Sequence, residues 1–277
     1  MILITTPNGK VGSEVVRQLQ AKGEQIRIGV HTVEKAQEAF PGADVVHFDF
    51  GNEDSVRSAL QGVDKLYLAS PGEMQAMPVN RVVDLATEAG VKHVVRLSAM
   101  GVEYGDSPLR QVERHIEASG LAWTFLRPSW FMQNYSTGMA DAIRQGTVME
   151  PAGDAATGFV DARDIAAVGV AALTEEGHAG QAYAITGPEA LTRDQVAAKI
   201  SAATGKPVRY RAVSPQEFET GMRGAGVPEA YVGLMGTLYG FVRAGQTAAL
   251  TNDVQQVTGR APISFDQFAR DNADAWH

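Results

Sequence analysis

The chain has 277 residues, 44% hydrophobic and 20% charged, which is ordinary for a globular protein with room for one large or two modest domains. Its formal net charge of -8 argues against a nucleic-acid or anionic-membrane partner, because both select for clustered Lys and Arg. The sequence has no cysteine, which excludes disulfides, thiolate metal sites, iron–sulfur clusters and a Cys nucleophile.

Strand and helix alternate along the first half of the chain. Apolar runs predict strands at residues 2–4, 25–30, 44–48, 65–69, 93–97 and 122–126. Helical spacing predicts helices from residue 11 and at residues 35–40, 53–60, 79–89 and 108–119. Short connections of this kind favour a parallel sheet covered on both faces. We therefore predict an α/β, doubly wound parallel-sheet Rossmann fold.

Beyond residue 128 the alternation becomes irregular. Helices are expected at residues 130–144, 161–173, 215–224, 229–243 and 265–276, with a further helix capped by Thr192. Short strands are expected at residues 147–149, 159–160, 182–185 and 207–213. We divide the chain into a dinucleotide-binding domain at residues 1–150 and a small, mostly helical C-terminal substrate lobe at residues 151–277, interleaved with the sheet.

The turn after the first strand, residues 5–12, is a partial dinucleotide-binding motif. Gly9 and Gly12 keep the spacing of the pattern G-x-x-G-x-x-G, whereas Thr6 replaces its first glycine. Gly9 lets the backbone approach a pyrophosphate, and Gly12 lets the helix pack closely on the sheet. Thr6 is tolerated if its φ is negative, and its hydroxyl is then a further phosphate ligand. The predicted cofactor contacts in this turn are Thr6, Asn8, Gly9, Lys10, Val11 and Gly12.

The end of the second strand bears on the choice between NAD and NADP. A carboxylate there binds the 2′-hydroxyl of NAD, whereas a basic residue accommodates the 2′-phosphate of NADP. No acidic residue stands at this strand end, and His31, Thr32 and Lys35 form a candidate 2′-phosphate pocket. The same residues also suit a solvated helix start, and Glu34 argues against the pocket. We predict that NADP(H) is preferred over NAD(H).

Small and polar residues follow the other strands, where ligands bind in such sheets. Asp49 and Phe50 could meet the adenine ring, through its exocyclic amine and its face. The remaining predicted cofactor contacts are Ala69, Ser70, Pro71, Ser98 and Pro128. Each could be no more than a small-residue strand end, but their convergence on one edge of the sheet favours a cofactor site.

Several blocks of the sequence share their order and spacing with a known family. They are residues 5–12, 91–98, 119–128, 131–134, 159–166 and 180–183. These blocks, spread over nearly the whole chain, resemble the NmrA-like atypical short-chain dehydrogenases. The resemblance implies a Rossmann domain with a small lobe, and NAD(P)H-dependent reduction of quinones, triphenylmethane dyes or imines. The chain departs from the family at Thr6, where members usually carry Gly, and at His31, where NADP-preferring members usually carry Arg.

The Tyr-x-x-x-Lys pair of the main short-chain dehydrogenase group is missing. Tyr104 follows the fifth strand, but Pro108 stands four residues later. Carbonyl reduction needs a proton donor at the developing alkoxide, whereas a quinone, an iminium or a conjugated dye is already electrophilic. Positioning the nicotinamide against such an acceptor supplies most of the catalysis. We predict hydride transfer to a small conjugated acceptor (quinone, imine or iminium, or activated alkene), with Tyr104 the candidate catalytic residue.

The residues expected over the nicotinamide would form an aromatic slot for the acceptor. The candidate substrate contacts are Met100, Tyr104, Ser129, Trp130, Phe131, Asn134 and Tyr239. Trp130 and Phe131 equally suit a core position, and helical spacing favours core packing around Tyr239. The alternative function is a non-enzymatic redox sensor that binds NADP(H) and signals to a partner protein. The altered turn at Thr6 and the lack of an obvious acid favour that alternative.

The expected partners are a small-molecule substrate and the nicotinamide cofactor, without nucleic acid or membrane. Whether the chain forms a homodimer is left open. The 6 histidines show no metal-ligand spacing, so no metal is expected. No signal-peptide pattern is visible at the N-terminus and no apolar run approaches the ~20 residues that span a bilayer, so we expect a cytoplasmic protein.

Overall fold

The computed structural model of the chain describes residues 1–71 and 75–277. The strands are β1 (Ile2–Thr5), β2 (Ile26–Val30), β3 (Asp44–His47), β4 (Lys65–Leu68), β5 (His93–Leu97), β6 (Ala122–Pro128), β7 (Thr147–Glu150), β8 (Thr157–Gly158), β9 (Gln181–Ile185), β10 (Ala190–Leu191) and β11 (Arg209–Ala212). The main sheet has 7 parallel strands in the order β3-β2-β1-β4-β5-β6-β9. This order, with helices between successive strands, confirms the doubly wound α/β fold.

The helices follow the strands closely through the first half of the chain. They are α1 (Gly12–Ala21), α2 (Val33–Ala39), α3 (Glu53–Ala59), α4 (Ala76–Glu88), α5 (Pro108–Ala118), α6 (Gln133–Ser136), α7 (Ala140–Arg144), α8 (Ala162–Thr174), α9 (Arg193–Thr204), α10 (Pro215–Gly224), α11 (Glu229–Arg243), α12 (Asp253–Thr258) and α13 (Phe265–Asp271). Short 3₁₀ turns lie at Val102–Tyr104 and Ala273–Trp276.

The described residues fall into two compact units. The first comprises Met1–Pro128, Ala162–Ile185 and Gln256–Gly259, and the second comprises Ser129–Asp161, Thr186–Gln255 and Arg260–His277. This division differs from the sequence-based one: residues 129–150 belong to the second unit and residues 162–185 to the first. The physical reason is that β9 pairs with β6 in the main sheet and α8 packs against α1.

In the first unit, β1 is buried along its whole length, as expected for a strand covered on both faces. Polar residues fix where the flanking helices begin. The Asn52 side chain accepts the Ser55 N–H at 3.2 Å to start α3, and Ser107 accepts the Arg110 N–H at 3.3 Å to start α5, whose first residue is proline. The apolar faces of α3 and α5 pack into the core of this unit.

The second unit has its own core and two small sheets, in which β7 pairs with β11 and β8 with β10. Aromatic side chains fill this core, and the Trp276 indole N–H donates to the Tyr135 carbonyl at 2.9 Å. The predicted cap of α9 is present as a reciprocal pair. Thr192 Oγ1 accepts the Gln195 N–H at 3.3 Å, and Gln195 Oε1 accepts the Thr192 N–H at 2.9 Å.

The prediction of one helix over residues 130–144 is wrong. The Val160 N–H donates to the Trp130 carbonyl at 2.8 Å and the Met132 N–H donates to the Val160 carbonyl at 2.9 Å, so the chain is extended there. Helical structure begins only at α6 and is interrupted before α7 by Thr137 and Gly138, both weak helix formers. The strand expected at 159–160 lies instead at Thr157–Gly158, and β10 and α12 were not predicted.

Candidate functional site

The carboxyl ends of the parallel strands in the first unit form one edge of the sheet. The strand order reverses between β1 and β4, and ligands bind at such a switch point. All the residues predicted to contact a cofactor lie at this edge or in the first turn of the helix that follows. By strand, they are Thr6, Asn8, Gly9, Lys10, Val11 and Gly12 after β1, His31, Thr32 and Lys35 after β2, Asp49 and Phe50 after β3, Ala69, Ser70 and Pro71 after β4, Ser98 after β5, and Pro128 ending β6.

Thr5 joins the two strands that flank the switch point. Its hydroxyl donates to the Ala69 carbonyl at 2.7 Å and accepts the Ala69 N–H at 2.9 Å. The side chain is fully buried, so these bonds fix the end of β1 against the end of β4. Sequence reasoning did not single out Thr5. The available signal was a polar residue closing an otherwise apolar strand.

Thr6 does not meet the condition of a negative φ under which it would fit the turn without strain. Its φ is 49°, and it is the one non-glycine residue with positive φ among residues 1–71 and 75–277. The left-handed conformation of a β-branched residue costs about 1–2 kcal/mol, because Cβ approaches the carbonyl oxygen. The turn also depends on the Thr6 carbonyl, which accepts the Gly9 N–H at 3.0 Å. Thr6 therefore holds the glycine-like conformation of the motif at a steric cost.

Gly12 is required by a close backbone approach. A Cβ built on Gly12 would lie 2.2 Å from the Thr6 carbonyl oxygen and 3.2 Å from the Pro7 Cα. At the start of α1, Val11 provides no side-chain cap, and the Ser13 N–H donates to the Gly9 carbonyl at 3.0 Å. A helix N-terminus that meets a tight glycine turn suits a pyrophosphate. These features fit the dinucleotide that the sequence predicts.

Two histidines and one carboxylate lie where β2 and β3 end. His31 is 79% exposed, and its Nε2 lies 3.9 Å from the Asp49 carboxylate. His47 was not predicted as a site residue. Its Nδ1 lies 3.0 Å from the His31 carbonyl oxygen, and the two imidazole ring centroids are 5.7 Å apart. Thr32 and Lys35, which follow β2, are also exposed. This part of the edge carries charges of both signs, with the carboxylate contributed by the end of β3.

Arg96 is buried at the ends of β4 and β5, with 1% of its surface exposed. Its Nη1 donates to the Leu68 carbonyl at 3.1 Å and its Nη2 to the Ser70 hydroxyl at 3.0 Å. Burial lowers the pKa of Arg96 to about 10, so the guanidinium is charged at neutral pH. Sequence reasoning passed over Arg96. The signal was an arginine inside the apolar run 93–97.

Two polar atoms at this part of the edge lack a partner. Arg96 Nε and Ser98 Oγ are buried without a hydrogen bond to any residue that the structure describes. Buried polar groups are costly when unpaired and are usually satisfied by protein, water or ligand. Ser98 was predicted to contact the cofactor, and its unpaired hydroxyl at the end of β5 is consistent with that role.

The loop after β5 carries two of the residues predicted to bind substrate. The Met100 N–H donates to the Pro128 carbonyl at 3.0 Å, and Gly101, with φ 88°, opens the following 3₁₀ turn. Tyr104 ends that turn with 89% of its surface exposed. Its hydroxyl has no hydrogen bond to the described part of the chain.

The remaining substrate candidates lie in the second unit. The Trp130 ring is half-buried, with its centroid 5.0 Å from that of Tyr239, which is fully buried and packs edge-on against Phe218. Tyr239 therefore supports Trp130 from within the core. Ser129, Phe131 and Asn134 are half-buried around the extended segment that precedes α6.

A buried ion pair lies beside Trp130. Arg193 and Glu150 are 0% and 1% exposed, and the Arg193 Nε donates to Glu150 Oε2. The Arg193 guanidinium also donates to Thr157 Oγ1 at 2.6 Å and lies 5.8 Å from the Trp130 ring centroid. Burial and the Glu150 carboxylate raise the pKa of Tyr239, so its phenol stays protonated. No local pattern could reveal this pair, because its members are far apart in sequence.

In the ranges 1–71 and 75–277, no helix combines the length and apolarity needed to cross a membrane. Within those ranges, no group of three or more His, Asp or Glu side chains is arranged to hold a metal ion.

Comparisons with known proteins agree along nearly the whole chain. The sequence profile of the NmrA-like family matches residues 1–260. An NAD(P)H azoreductase of Xenophilus azovorans is 38% identical over 285 residues, covering 100% of this chain and 99% of the relative. Among solved structures, NADPH-dependent quinone oxidoreductase of Escherichia coli complexed with NADPH has a TM-score of 0.87 at 28% identity, covering 97% of this chain and 98% of that one. Triphenylmethane reductase of Citrobacter sp. complexed with NADP(H) has a TM-score of 0.82 at 27% identity, covering 99% and 98%.

Proposed function

This chain belongs to the NmrA-like family and is an NAD(P)H-dependent reductase, and we propose that it transfers hydride from NADPH to a small conjugated acceptor. The acceptor is a quinone, an imine or iminium, or an activated alkene. The proposal rests mainly on the turn after β1, at the edge of the sheet in the first unit. The backbone there approaches Gly12 so closely that no side chain fits, as a dinucleotide-binding turn requires. The names of the relatives support the acceptor class, since azo compounds, quinones and triphenylmethane dyes are all conjugated.

The residues of the first unit divide the work of binding the dinucleotide. The first turn of α1, with Gly9 and Gly12, holds the pyrophosphate. His31 and Thr32 follow the end of β2, the strand end that is expected to meet the adenosine ribose. Because β2 ends without a carboxylate that could bind a 2′-hydroxyl, the sequence there supports NADPH over NADH. When bound, the nicotinamide supplies the hydride.

Trp130 of the second unit is the candidate contact for the π-system of the acceptor. Trp130 is half-buried, and its ring is held by Tyr239 and by the Arg193 guanidinium. A conjugated acceptor spreads the incoming charge over its π-system, so that binding and orientation account for most of the catalysis. The proton follows from solvent or from a nearby hydroxyl, for which Tyr104 is the candidate.

The test is a reductase assay with NADPH and a panel of acceptors: a benzoquinone, a cyclic imine, an azo dye and a triphenylmethane dye. We expect loss of nicotinamide absorbance with at least one acceptor, and a higher kcat/KM with NADPH than with NADH. The variant Gly12→Val should lose both NADPH binding and turnover, because its side chain would collide with the Thr6 carbonyl. Gly221→Val in α10 is the matched control, because Gly221 also lies in a helix without a positive φ and a Cβ there meets nothing within 4 Å.

Absence of NADPH oxidation with every acceptor would count against the proposal. Binding of NADPH without turnover would instead favour the redox-sensor alternative, because the nucleotide edge would then be intact and the acceptor site absent.

A further inference from the structure

Arg96 is a buried cation that the hydride transfer described above does not use. It lies within β5, where it is paired in register with Leu68 of β4 and Phe125 of β6. Its guanidinium bonds to the Leu68 carbonyl and the Ser70 hydroxyl, both neutral oxygens, and its Nε has no partner in the described part of the chain. A charge buried without an opposite charge is costly unless it serves a ligand.

The acidic side chain that interacts electrostatically with Arg96 does not contact it directly. Glu113 of α5 is fully buried and interacts with Arg96 only through space. Its carboxylate is already shared by Arg110, at 3.1 Å, and Arg127, at 2.8 Å. Arg110 also pairs with Glu117 at 2.8 Å and Arg127 with Glu103 at 3.6 Å, so Glu113 balances Arg96 in formal charge, but only through space. The guanidinium of Arg96 itself bonds only to neutral oxygens at the ends of β4 and β5.

The topology indicates which half of the cofactor lies near this charge, on the premise that the proposed function is correct. The turn after β1 holds the pyrophosphate, and the ends of β2 and β3 receive the adenosine half. The other half of the dinucleotide must then extend to the opposite side of the switch point, over β4 and β5. Ser70 and Ser98 stand at those two strand ends, next to Arg96.

We propose that Arg96 makes the site bind the reduced nucleotide more tightly than the oxidised one. NADPH and NADP⁺ carry the same phosphates, so a buried cation attracts that part of both equally. Only NADP⁺ carries a positive charge on its nicotinamide ring, and Arg96 repels it through an interior of low dielectric. The oxidised product is then released readily, while the equilibrium of the overall reaction is unchanged.

The test compares dissociation constants rather than rates. NADPH binding is followed by nucleotide fluorescence and NADP⁺ binding by calorimetry, for the wild type, Arg96→Met and Arg96→Lys. We expect the wild type to bind NADPH more tightly, and Arg96→Met to reduce the ratio of the two constants by about tenfold, the scale of one partly buried unit charge. Arg96→Lys, which keeps the charge, should keep the ratio.

A matched control changes the net charge by the same amount on the surface of the same unit. Arg57 of α3 is 47% exposed and its guanidinium lies 2.6 Å from the Glu88 carboxylate. Arg57→Met should leave the ratio unchanged.

Equal weakening of both forms by Arg96→Met would overturn the inference, because it would mark Arg96 as a strand tether alone. A tenfold smaller preference for NADPH over NADP⁺ in Arg96→Lys would also overturn it. If Arg96→Met does not fold, Arg96→Gln takes its place. A wild type that binds NADP⁺ as tightly as NADPH would overturn the inference without any variant. A wild type that binds neither nucleotide would refute the proposed function itself, whereas intact binding and turnover with an unchanged ratio would refute only the role of Arg96.

Discussion

Thr6 combines strain with an essential backbone contact. Its φ of 49° places a β-branched side chain in a conformation that glycine adopts freely. The same conformation aims its carbonyl at the Gly9 N–H and brings it under Gly12. The backbone geometry of the dinucleotide turn is thus kept without the glycine that usually provides it.

Replacing Thr6 by glycine should stabilise the protein. We expect Thr6→Gly to raise the free energy of unfolding by roughly 1 kcal/mol, because relief of the left-handed strain exceeds the added entropy of the unfolded chain. Thermal unfolding would show this as an increase in Tm of about 2–4 °C. NADPH titration of the same variant tests the hydroxyl: weaker binding indicates a phosphate contact, and tighter binding indicates that Thr6 displaces the cofactor.

The neighbouring residue provides the control for Thr6→Gly. Thr5 has a strand conformation and bonds to both backbone groups of Ala69, so Thr5→Gly should destabilise the protein. A decrease in Tm for Thr6→Gly would contradict the strain argument.

The site residues differ in how visible they are in the sequence. Gly12 could be predicted because its spacing from Gly9 is part of a motif with a known steric cause. The sign of φ at Thr6 could not, because the turn overrides the preference of a single side chain. Arg96 and Thr5 were missed, since their importance lies in burial and in contacts with β4, which no local pattern encodes.

At the scale of elements, β7 and α9 are joined by the Glu150–Arg193 ion pair. Breaking one side of such a pair leaves a buried charge uncompensated. We expect Glu150→Gln to lower the free energy of unfolding by about 3 kcal/mol, measured from urea unfolding curves. The double variant Glu150→Leu with Arg193→Met should recover much of this loss, because neither charge then remains in the core.

An exposed pair in the same unit is the comparison for Glu150→Gln. Arg211 and Glu217 are in contact with 60% and 50% of their side chains exposed, so Glu217→Gln should cost less than about 1 kcal/mol. Similar decreases in the free energy of unfolding for Glu150→Gln and Glu217→Gln would show that burial does not increase the cost of breaking the Glu150–Arg193 pair.

The elements were predictable where local pattern and long-range pairing agree. The buried parallel strands are continuous apolar runs, and α3, α5 and α9 begin at polar caps. The failure at residues 130–144 has the opposite cause. Their apolar spacing is helical, but hydrogen bonds to Val160, distant in sequence, hold the first part extended.

At the scale of the whole molecule, His93 makes stability depend on pH. Its Nε2 donates to Thr124 Oγ1 at 2.9 Å, because the Thr124 hydroxyl itself donates to the His178 carbonyl at 2.6 Å. Burial, with smaller contributions from Lys65 and His178, lowers the pKa of His93 to about 4. The folded protein therefore holds this imidazole neutral at a pH where the unfolded chain is already protonated.

Acid should destabilise the protein through this residue. Between about pH 6.5 and pH 4 the unfolded chain binds more protons, so stability decreases as the pH falls, by roughly 2–3 kcal/mol in total. His93→Gln, which keeps a donor for Thr124, should flatten the dependence of Tm on pH over that interval. An equally steep slope in His93→Gln would assign the acid sensitivity to other groups.

The division of the chain explains which part of the function the sequence could predict. The predicted cofactor contacts all belong to the first unit, and the topology of a parallel sheet brings strand ends to one edge whatever the side chains. The substrate candidates are divided, with Met100 and Tyr104 in the first unit and Trp130 and Tyr239 in the second. Sequence spacing carries no information about such a division, so the class of the acceptor and its contacts both stay predictions.

The strand β9, at one edge of the main sheet, affects how the chain folds during its synthesis. Because β9 pairs with β6, the sheet stays incomplete on the ribosome until residues 181–185 have been made. During that interval β6 is an open edge strand with a largely apolar sequence, able to pair with another nascent chain. Any fragment ending between residues 128 and 180 keeps that edge open permanently and is prone to aggregation.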